Sequence, residues 1–262
     1  MKCEYNAGFF DLLRQGSTPS ARHIVPMLLH LFKPSSVVDV GCGEGAWLSV
    51  YRELGVDDVF GFDGPWVNKE RLLIPGEKFA VLDLPCQSIP RRFDLAMCLE
   101  VAEHLPEKDA ENLVDFLCRL SDNIVFSAAI PGQDGVGHVN EQWPEYWDAF
   151  FRKRGFVAKD CLRWQIWNNP KIDWWYRQNL LVYTKSTNGA ESQEQLLTAI
   201  HPERWKAAIA RLQYLEREFE AVRDKSCHEL TPEAAVRKIP TIKLVEIIAQ
   251  RIKRKLSSLF LS

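Results

Sequence analysis

Three polar side chains suited to acid–base catalysis or metal binding lie close together in the stretch CLEVAEHLP. They are Glu100, Glu103 and His104, and they follow the short apolar run RFDLAMC. On a helix that starts near Glu100, the spacing i, i+3 and i+4 puts all three on one face. Such a group can cap a helix N-terminus, ligate a metal ion or exchange a proton with a substrate.

A fourth candidate of the same chemistry is His138, in the downstream stretch GVGHVNEQW. Two carboxylates and two histidines can together hold a divalent cation, Mg²⁺ or another. Alternatively, neutral His138 or His104 can take the proton of an acceptor hydroxyl, with Glu103 in the same site. The other histidines fall on predicted helices or caps elsewhere and are expected to be structural; they are His23, His30, His201 and His228.

The elements that position these groups alternate between short apolar strands and amphipathic helices. The pattern predicts strands at 35–40, 58–63, 78–84, 93–99 and 123–130, and a closing antiparallel pair at 157–167 and 179–185. Helices are predicted at 7–32, 46–54, 109–120 and 146–156. This alternation is typical of an α/β protein with a mostly parallel sheet. Because the carboxyl ends of parallel strands share one edge, His138 is expected near the first three groups.

The composition changes after residue 185. We expect a domain at 1–185 with its motif core at 35–130, a polar linker at 186–193 and a helical appendage at 194–262. Two apolar seams run along the appendage, from Trp205 to Val222 and from Ile242 to Leu259. The seams can pair with each other or mediate homodimerisation. The basic helix 241–262 can also lie on an anionic membrane surface.

The composition excludes several classes of protein. The chain has 262 residues, 46% of them hydrophobic and 26% charged, with a net charge of −2. This is typical of a globular protein and gives no basic field for nucleic acid. Seven cysteines without a CxxC pair, and the lack of a signal peptide, lead us to expect a cytoplasmic location. The basic helix 241–262 would allow contact with the inner face of the membrane.

Three glycines follow the first predicted strand, in VVDVGCGEG. Gly41, Gly43 and Gly45 would let a ligand approach the backbone closely. A dinucleotide would bring a diphosphate to this turn, where Asp39 and Glu44 would both repel it. A ligand with an ammonium and a sulfonium group and no phosphate suits the acid better, and S-adenosylmethionine is such a ligand.

Two further acids end the next two predicted strands. Asp63 ends the second strand in GFDGPW, where a carboxylate can accept hydrogen bonds from both ribose hydroxyls. Asp83 ends the third strand in VLDL, in a position to meet an adenine amino group. Trp66, just after the ribose acid, can stack on adenine or pack in the fold. Three acids at three successive strand ends beside a glycine turn indicate a nucleoside site.

The stretches VVDVGCGEGAWL, GFDG, VLDL and FDLAMCLEVAEHLP resemble the motif series of class I S-adenosylmethionine-dependent methyltransferases. The resemblance covers residues 20–185 and implies a Rossmann-like sheet of seven strands, mostly parallel, with the last antiparallel. It implies that the methionine part of the cofactor lies against Asp39 and the glycines, the ribose against Asp63, and adenine near Asp83 and Leu84. Cys98 is also placed among the cofactor-binding residues.

The arrangement Glu-x-x-Glu-His with a later histidine is similar to two groups of metal-assisted O-methyltransferases. One group makes ubiquinone, and the other methylates the terminal 2′-hydroxyl of small RNAs. The stretch NPKIDWWYRQNLLVY resembles a block in methyltransferases encoded among bacterial surface-glycan genes. These resemblances imply methylation of a sugar or glycan hydroxyl. An RNA 2′-O-methyltransferase, a small-molecule N- or C-methyltransferase and a cofactor-binding scaffold without turnover stay open.

Overall fold

The computed structural model describes residues 7–82, 89–186 and 198–229. Several predictions from the sequence lie outside these residues. They concern Asp83 and Leu84, nearly all of the linker 186–193, the apolar seam from Ile242 and the basic helix 241–262.

The described part of the chain contains one seven-stranded sheet, in the order β3-β2-β1-β4-β5-β7-β6. Strands β1 to β5 run parallel, and β7 is antiparallel to both β5 and β6. This confirms the predicted fold class. The strands are β1 (Ser36–Val40), β2 (Asp58–Asp63), β3 (Phe79–Val81), β4 (Leu95–Leu99), β5 (Asn123–Ser127), β6 (Phe156–Lys159) and β7 (Leu181–Lys185).

Helices cover both faces of the sheet, which explains why its strands are apolar on both sides. The helices are α1 (Ala7–Phe32), α2 (Ala46–Glu53), α3 (Glu107–Leu120), α4 (Pro144–Lys153), α5 (Arg163–Ile166), α6 (Trp174–Asn179) and α7 (Pro202–Glu229). Val37 and Val38 are neighbours in β1 and are both fully buried, each in a different hydrophobic cluster. Burial of each valine contributes about 1.5–3 kcal/mol.

The strand predicted at 157–167 is wrong in its second half. β6 ends at Lys159, and the chain then forms the short helix α5. Leu162 and Ile166 are four residues apart, so a helical turn buries both against the core. Arg163 is almost fully buried between them, and its guanidinium donates to both carboxylate oxygens of Asp160. A continued strand would break this ion pair.

The described residues divide into a unit that ends at Trp205 and a second unit that begins at Lys206. The predicted helical appendage appears as α7, in which Leu215 and Phe219 of the first seam are exposed. In the parts of the chain that the structure describes, no helix combines the length and the apolar character needed to cross a membrane.

Candidate active site

The turn after β1 depends on its glycines. Gly41, Gly43 and Gly45 all have positive φ angles, of 83°, 55° and 86°. This conformation strains residues with a Cβ atom. At Gly41 a Cβ atom would also clash with the side chain of Val101. The backbone N–H of Gly41 donates to the carbonyl oxygen of Phe62 in β2, at 2.7 Å, so the turn is fixed to the sheet.

A cavity opens beside this turn, at the carboxyl ends of β1 and β4. These two strands are neighbours, and the direction of chain crossover reverses between them, which is where open α/β sheets bind ligands. Gly41 and Gly43 line the cavity, together with the carboxylates Asp39 and Glu100. Three aromatic side chains also line the cavity, those of Trp47, Trp175 and Tyr176.

Asp39 is the deepest carboxylate of this cavity and is only 3% exposed. Among the described residues, none donates a hydrogen bond to its side chain. Burial, helped by the nearby charge of Asp63, raises the pKa of Asp39 from 3.8 to about 8. A carboxylate buried without a partner favours a cationic ligand, which would restore its charged form.

Glu44 is buried as well, but it is paired. Its carboxylate lies 2.6 Å from Nε of Arg71, which neutralises its charge. The sequence argument that Glu44 would repel a diphosphate is therefore weaker than expected.

Asp63, the predicted ribose acid, ends β2 with its carboxylate bound to backbone donors. Oδ2 accepts from the N–H of Gly43 at 2.7 Å, and Oδ1 accepts from the N–H of Gly64 at 2.6 Å. The half-exposed indole of Trp66 donates to the same Oδ1 at 2.8 Å. Burial raises the pKa of Asp63, and these hydrogen bonds partly offset that effect.

Two other predicted cofactor residues do not line the cavity. Gly45 lies at the start of α2, and its backbone N–H donates to the carbonyl oxygen of Cys42. Cys98 is fully buried inside β4, in the hydrophobic cluster on one face of the sheet. Its neighbour Leu99 lines the cavity instead, because successive residues of a strand point to opposite faces.

The helix predicted from Glu100 is wrong. Glu100 has a φ angle of +55°, and only a short 3₁₀ helix, Ala102–His104, follows it. The backbone N–H of Glu100 donates to the carbonyl oxygen of Ser127 at 3.0 Å and to its hydroxyl at 3.2 Å. These bonds to the end of β5 fix Glu100 in the left-handed region, so it does not share a helical face with Glu103 and His104.

Glu103, His104 and His138 converge, as the sequence predicted. One possible ligand atom from each of the three lies within 4.8 Å of the others. Nε2 of His138 is 4.0 Å from Oε1 of Glu103, and the two imidazole rings meet edge to face with centroids 4.8 Å apart. The backbone N–H groups of Val139 and Asn140 donate to the carbonyl oxygen of Glu103, which fixes the loop of His138 here. Glu100 does not belong to this cluster.

The cluster is short of positive charge. Glu103 is fully buried, and neither of its carboxylate oxygens accepts a hydrogen bond from a described side chain. Burial, with the nearby charge of Glu100, raises the pKa of Glu103 well above its ordinary value. Burial and the charge of His138 lower the pKa of His104 to about 4. His104 is therefore neutral at physiological pH, the form in which imidazole binds metals.

Comparison with known proteins identifies the family. Residues 13–175 match the family described as "Methyltransferase domain". The chain belongs to this methyltransferase family. It is a class I S-adenosylmethionine-dependent methyltransferase, as the sequence motifs predicted. A comparison with curated protein sequences gives no match.

Solved structures share the fold of this methyltransferase at low sequence identity. DesVI from Streptomyces venezuelae matches 69% of this chain and 98% of its own, with a TM-score of 0.54 at 14% identity. The methyltransferase domain of bacterial CtHen1-C matches 65% of this chain and 100% of its own, with a TM-score of 0.49 at 16% identity. Magnesium protoporphyrin IX methyltransferase from Synechocystis, with bound S-adenosylhomocysteine, matches 65% of this chain and 84% of its own, with a TM-score of 0.47 at 17% identity.

The cavity of the methyltransferase fits the charge of S-adenosylmethionine. Asp39 and Glu100 present two carboxylates to a ligand that carries an ammonium and a sulfonium group. Trp47 and Tyr176 add aromatic rings, which attract cations. When bound, the cofactor supplies an activated methyl group for transfer.

Three polar residues of the methyltransferase site were not found from the sequence. Glu141 accepts a hydrogen bond from Nδ1 of His138 at 2.9 Å. Gln133 and Asn179 donate their side-chain amides to the carboxylate of Glu100, at 2.8 and 3.2 Å. The position of Glu141, three residues after His138, was a local signal. Gln133 and Asn179 lie far from Glu100 in sequence and gave none.

Four basic residues of the methyltransferase domain, between positions 152 and 163, lie in ion pairs. Each pairs with an acidic side chain, which reduces the positive field available to a phosphate backbone. The pairs are Arg152–Asp148, Lys153–Glu111, Arg154–Asp115 and Arg163–Asp160.

Proposed function

We propose that this methyltransferase acts on a hydroxyl group of a sugar or glycan. The observation that carries the proposal is the convergence of Glu103, His104 and His138 at the strand ends beside the cofactor cavity. A hydroxyl acceptor must lose its proton during methyl transfer, whereas a neutral amine can attack first. A cluster with carboxylate and imidazole groups therefore favours an oxygen acceptor.

We propose that these three residues hold a divalent cation. The buried carboxylate of Glu103 lacks a side-chain partner, and a buried charge of this kind is paired or bound to a metal. Both histidines also have an acceptor, as metal-ligating histidines do: Glu141 for His138 and the carbonyl oxygen of Gly137 for His104. A bound cation would lower the pKa of a coordinated hydroxyl.

The protein groups around the cluster orient it. Glu141 accepts from Nδ1 of His138, so Nε2 carries the lone pair that faces Glu103. Oε2 of Glu141 accepts from the backbone N–H of Gly132 at 2.7 Å, which fixes its side chain. These bonds hold the imidazole in one tautomer and one orientation. Correct alignment of acceptor and methyl donor can be worth about 7–11 kcal/mol.

A polyhydroxylated acceptor suits the side chains near the cavity. Trp175 and Tyr176 line the cavity together with the hydroxyl-bearing Ser17, and sugars commonly bind through such combinations of rings and polar groups. Not every aromatic residue of this region can contact a ligand, because Trp147 is buried in the hydrophobic core. The ion pairs of the basic residues weigh against an RNA acceptor.

The experiment is methyl transfer from labelled S-adenosylmethionine to a panel of sugars with vicinal hydroxyls and to matched amino sugars. Assays contain EDTA, Mg²⁺, Mn²⁺ or Zn²⁺. We expect transfer to hydroxyls that EDTA suppresses and a cation restores, and that His138→Ala abolishes while S-adenosylhomocysteine binding persists. His30→Ala, which alters an exposed histidine of α1, is the matched control. Transfer confined to amines, or full activity of His138→Ala, would contradict the proposal.

A further inference from the structure

Three acidic residues line the cofactor cavity, and two of them, Asp39 and Glu100, have no lysine or arginine partner among the described residues. Glu44 pairs with Arg71, but no described lysine or arginine pairs with Asp39 or Glu100. The ligand of this cavity carries two positive charges, one on its amino group and one on its sulfur. The cavity therefore offers one unpaired carboxylate for each charge of the ligand.

Glu100 lacks a counter-ion, but its backbone conformation and several hydrogen bonds fix the position of its carboxylate. Its backbone adopts the left-handed conformation, which is uncommon for residues with a Cβ atom. The amides of Gln133 and Asn179 donate to its carboxylate. Gln178 and Asn179 are themselves buried and hydrogen-bonded to each other at 2.9 Å. Neutral amides orient the carboxylate without neutralising it.

The position of Glu100 decides which charge it can meet. The methyl group of the cofactor must face the acceptor, and on the function proposed above the acceptor lies at Glu103, His104 and His138. Glu100 lines the cavity, and it is close enough to the cluster for its charge to act on Glu103 and for the charge of His138 to act on it. Asp39 lies at the end of β1 beside the glycine turn.

We infer that Glu100 recognises the sulfonium charge of S-adenosylmethionine, while Asp39 recognises the ammonium group. Methyl transfer converts the sulfonium into the neutral thioether of S-adenosylhomocysteine, and the ammonium group stays charged in both. Glu100 then attracts the methyl donor and not the product, so it selects for the reactive form of the cofactor. Asp39 attracts both forms equally.

The test is a set of binding titrations without any acceptor, so it is independent of the proposed acceptor chemistry. The probes are S-adenosylmethionine, S-adenosylhomocysteine and sinefungin, which carries a protonated amine in place of the sulfonium methyl group. We expect Glu100→Gln to weaken S-adenosylmethionine and sinefungin about tenfold relative to S-adenosylhomocysteine, the size of one charge-assisted contact. Asp39→Asn should weaken all three by a similar factor.

Two more variants keep the test decisive. Glu100→Asp keeps the charge and should retain most of the preference, whereas Glu100→Ala should lose it and serves if Glu100→Gln does not fold. Equal weakening of all three ligands by Glu100→Gln and Glu100→Ala, or no effect, would overturn the inference. In that case, the methyltransferase assignment would still stand as long as the wild-type protein binds S-adenosylhomocysteine.

Discussion

The indole Nε1 of Trp66 donates a 2.8 Å hydrogen bond to Oδ1 of Asp63, the acid predicted to bind the ribose. Oδ1 also accepts from the N–H of Gly64, and Oδ2 accepts from the N–H of Gly43. A carboxylate has about four lone-pair sites, so little capacity is left for two ribose hydroxyls. The indole therefore competes with the ribose for Asp63.

Removal of this competing donor should strengthen cofactor binding. Trp66→Phe keeps an aromatic ring and loses the N–H, and we expect its affinity for S-adenosylhomocysteine to rise about 2- to 10-fold, the net value of one typical hydrogen bond. Isothermal titration calorimetry measures the change. A lower affinity would show instead that the indole itself contributes to binding, as the stacking interpretation from the sequence holds.

The raised pKa of Asp39 makes stability and cofactor binding depend on pH in opposite directions. The pKa is about 8 in the fold and 3.8 ordinarily, so the folded state binds the extra proton between these values. The free energy of unfolding should therefore fall as pH rises from 3.8 to about 8. Affinity for S-adenosylhomocysteine should rise over the same range, because the ammonium group needs the charged carboxylate.

Asp39→Asn separates these two effects. At pH values above 8, we expect the variant to be more stable than the wild type by about 1–3 kcal/mol, since it buries no charge. Its cofactor affinity should fall about tenfold or more. Thermal unfolding and calorimetry over a pH series check both, and a pH-independent difference in stability would exclude the titration of Asp39 as the cause.

Glu141 should act on methyl transfer and not on cofactor binding. Its carboxylate holds His138 through the 2.9 Å contact at Nδ1 and is itself fixed by the backbone N–H of Gly132. We expect Glu141→Gln to lower turnover or cation affinity about 10- to 100-fold, as other partners of ligating histidines do. S-adenosylhomocysteine binding should not change. Glu145→Gln, at an exposed acid nearby, is the control, and an equal loss in both variants would argue against the assignment.

His201 should stabilise the catalytic unit although it follows the predicted linker. It is buried, its Nε2 lies 2.9 Å from the carbonyl oxygen of Trp167, and its backbone N–H donates to the side chain of Gln178 at 2.8 Å. We expect His201→Ala to reduce the free energy of unfolding by about 1–3 kcal/mol. His30→Ala, at an exposed position, should change it by less than about 0.5 kcal/mol. Urea denaturation of the full chain compares the two.

The strand predicted at 157–167 failed in its second half because of tertiary contacts, which favour the helix α5 instead. The run after Lys159 is apolar and aromatic, which favours a strand locally. In the fold, Arg163 reaches Asp160 and the carbonyl oxygen of Gln178, and this contact with a distant helix decides for a helical turn. The same holds for Glu100, whose helical pattern is overridden by the hydrogen bonds that its backbone N–H donates to Ser127.

The sequence by itself determined most of the strands, the glycine turn and the acids Asp39 and Asp63 at two strand ends, because a pattern within a few residues records each of them. It also determined that His138 approaches Glu103, since parallel strands end at one edge. Only the tertiary structure decided that the carboxylate of Glu100 accepts hydrogen bonds from Gln133 and Asn179. Hydrogen bonds between residues far apart in the chain fix the orientation of that carboxylate, and no local pattern records them.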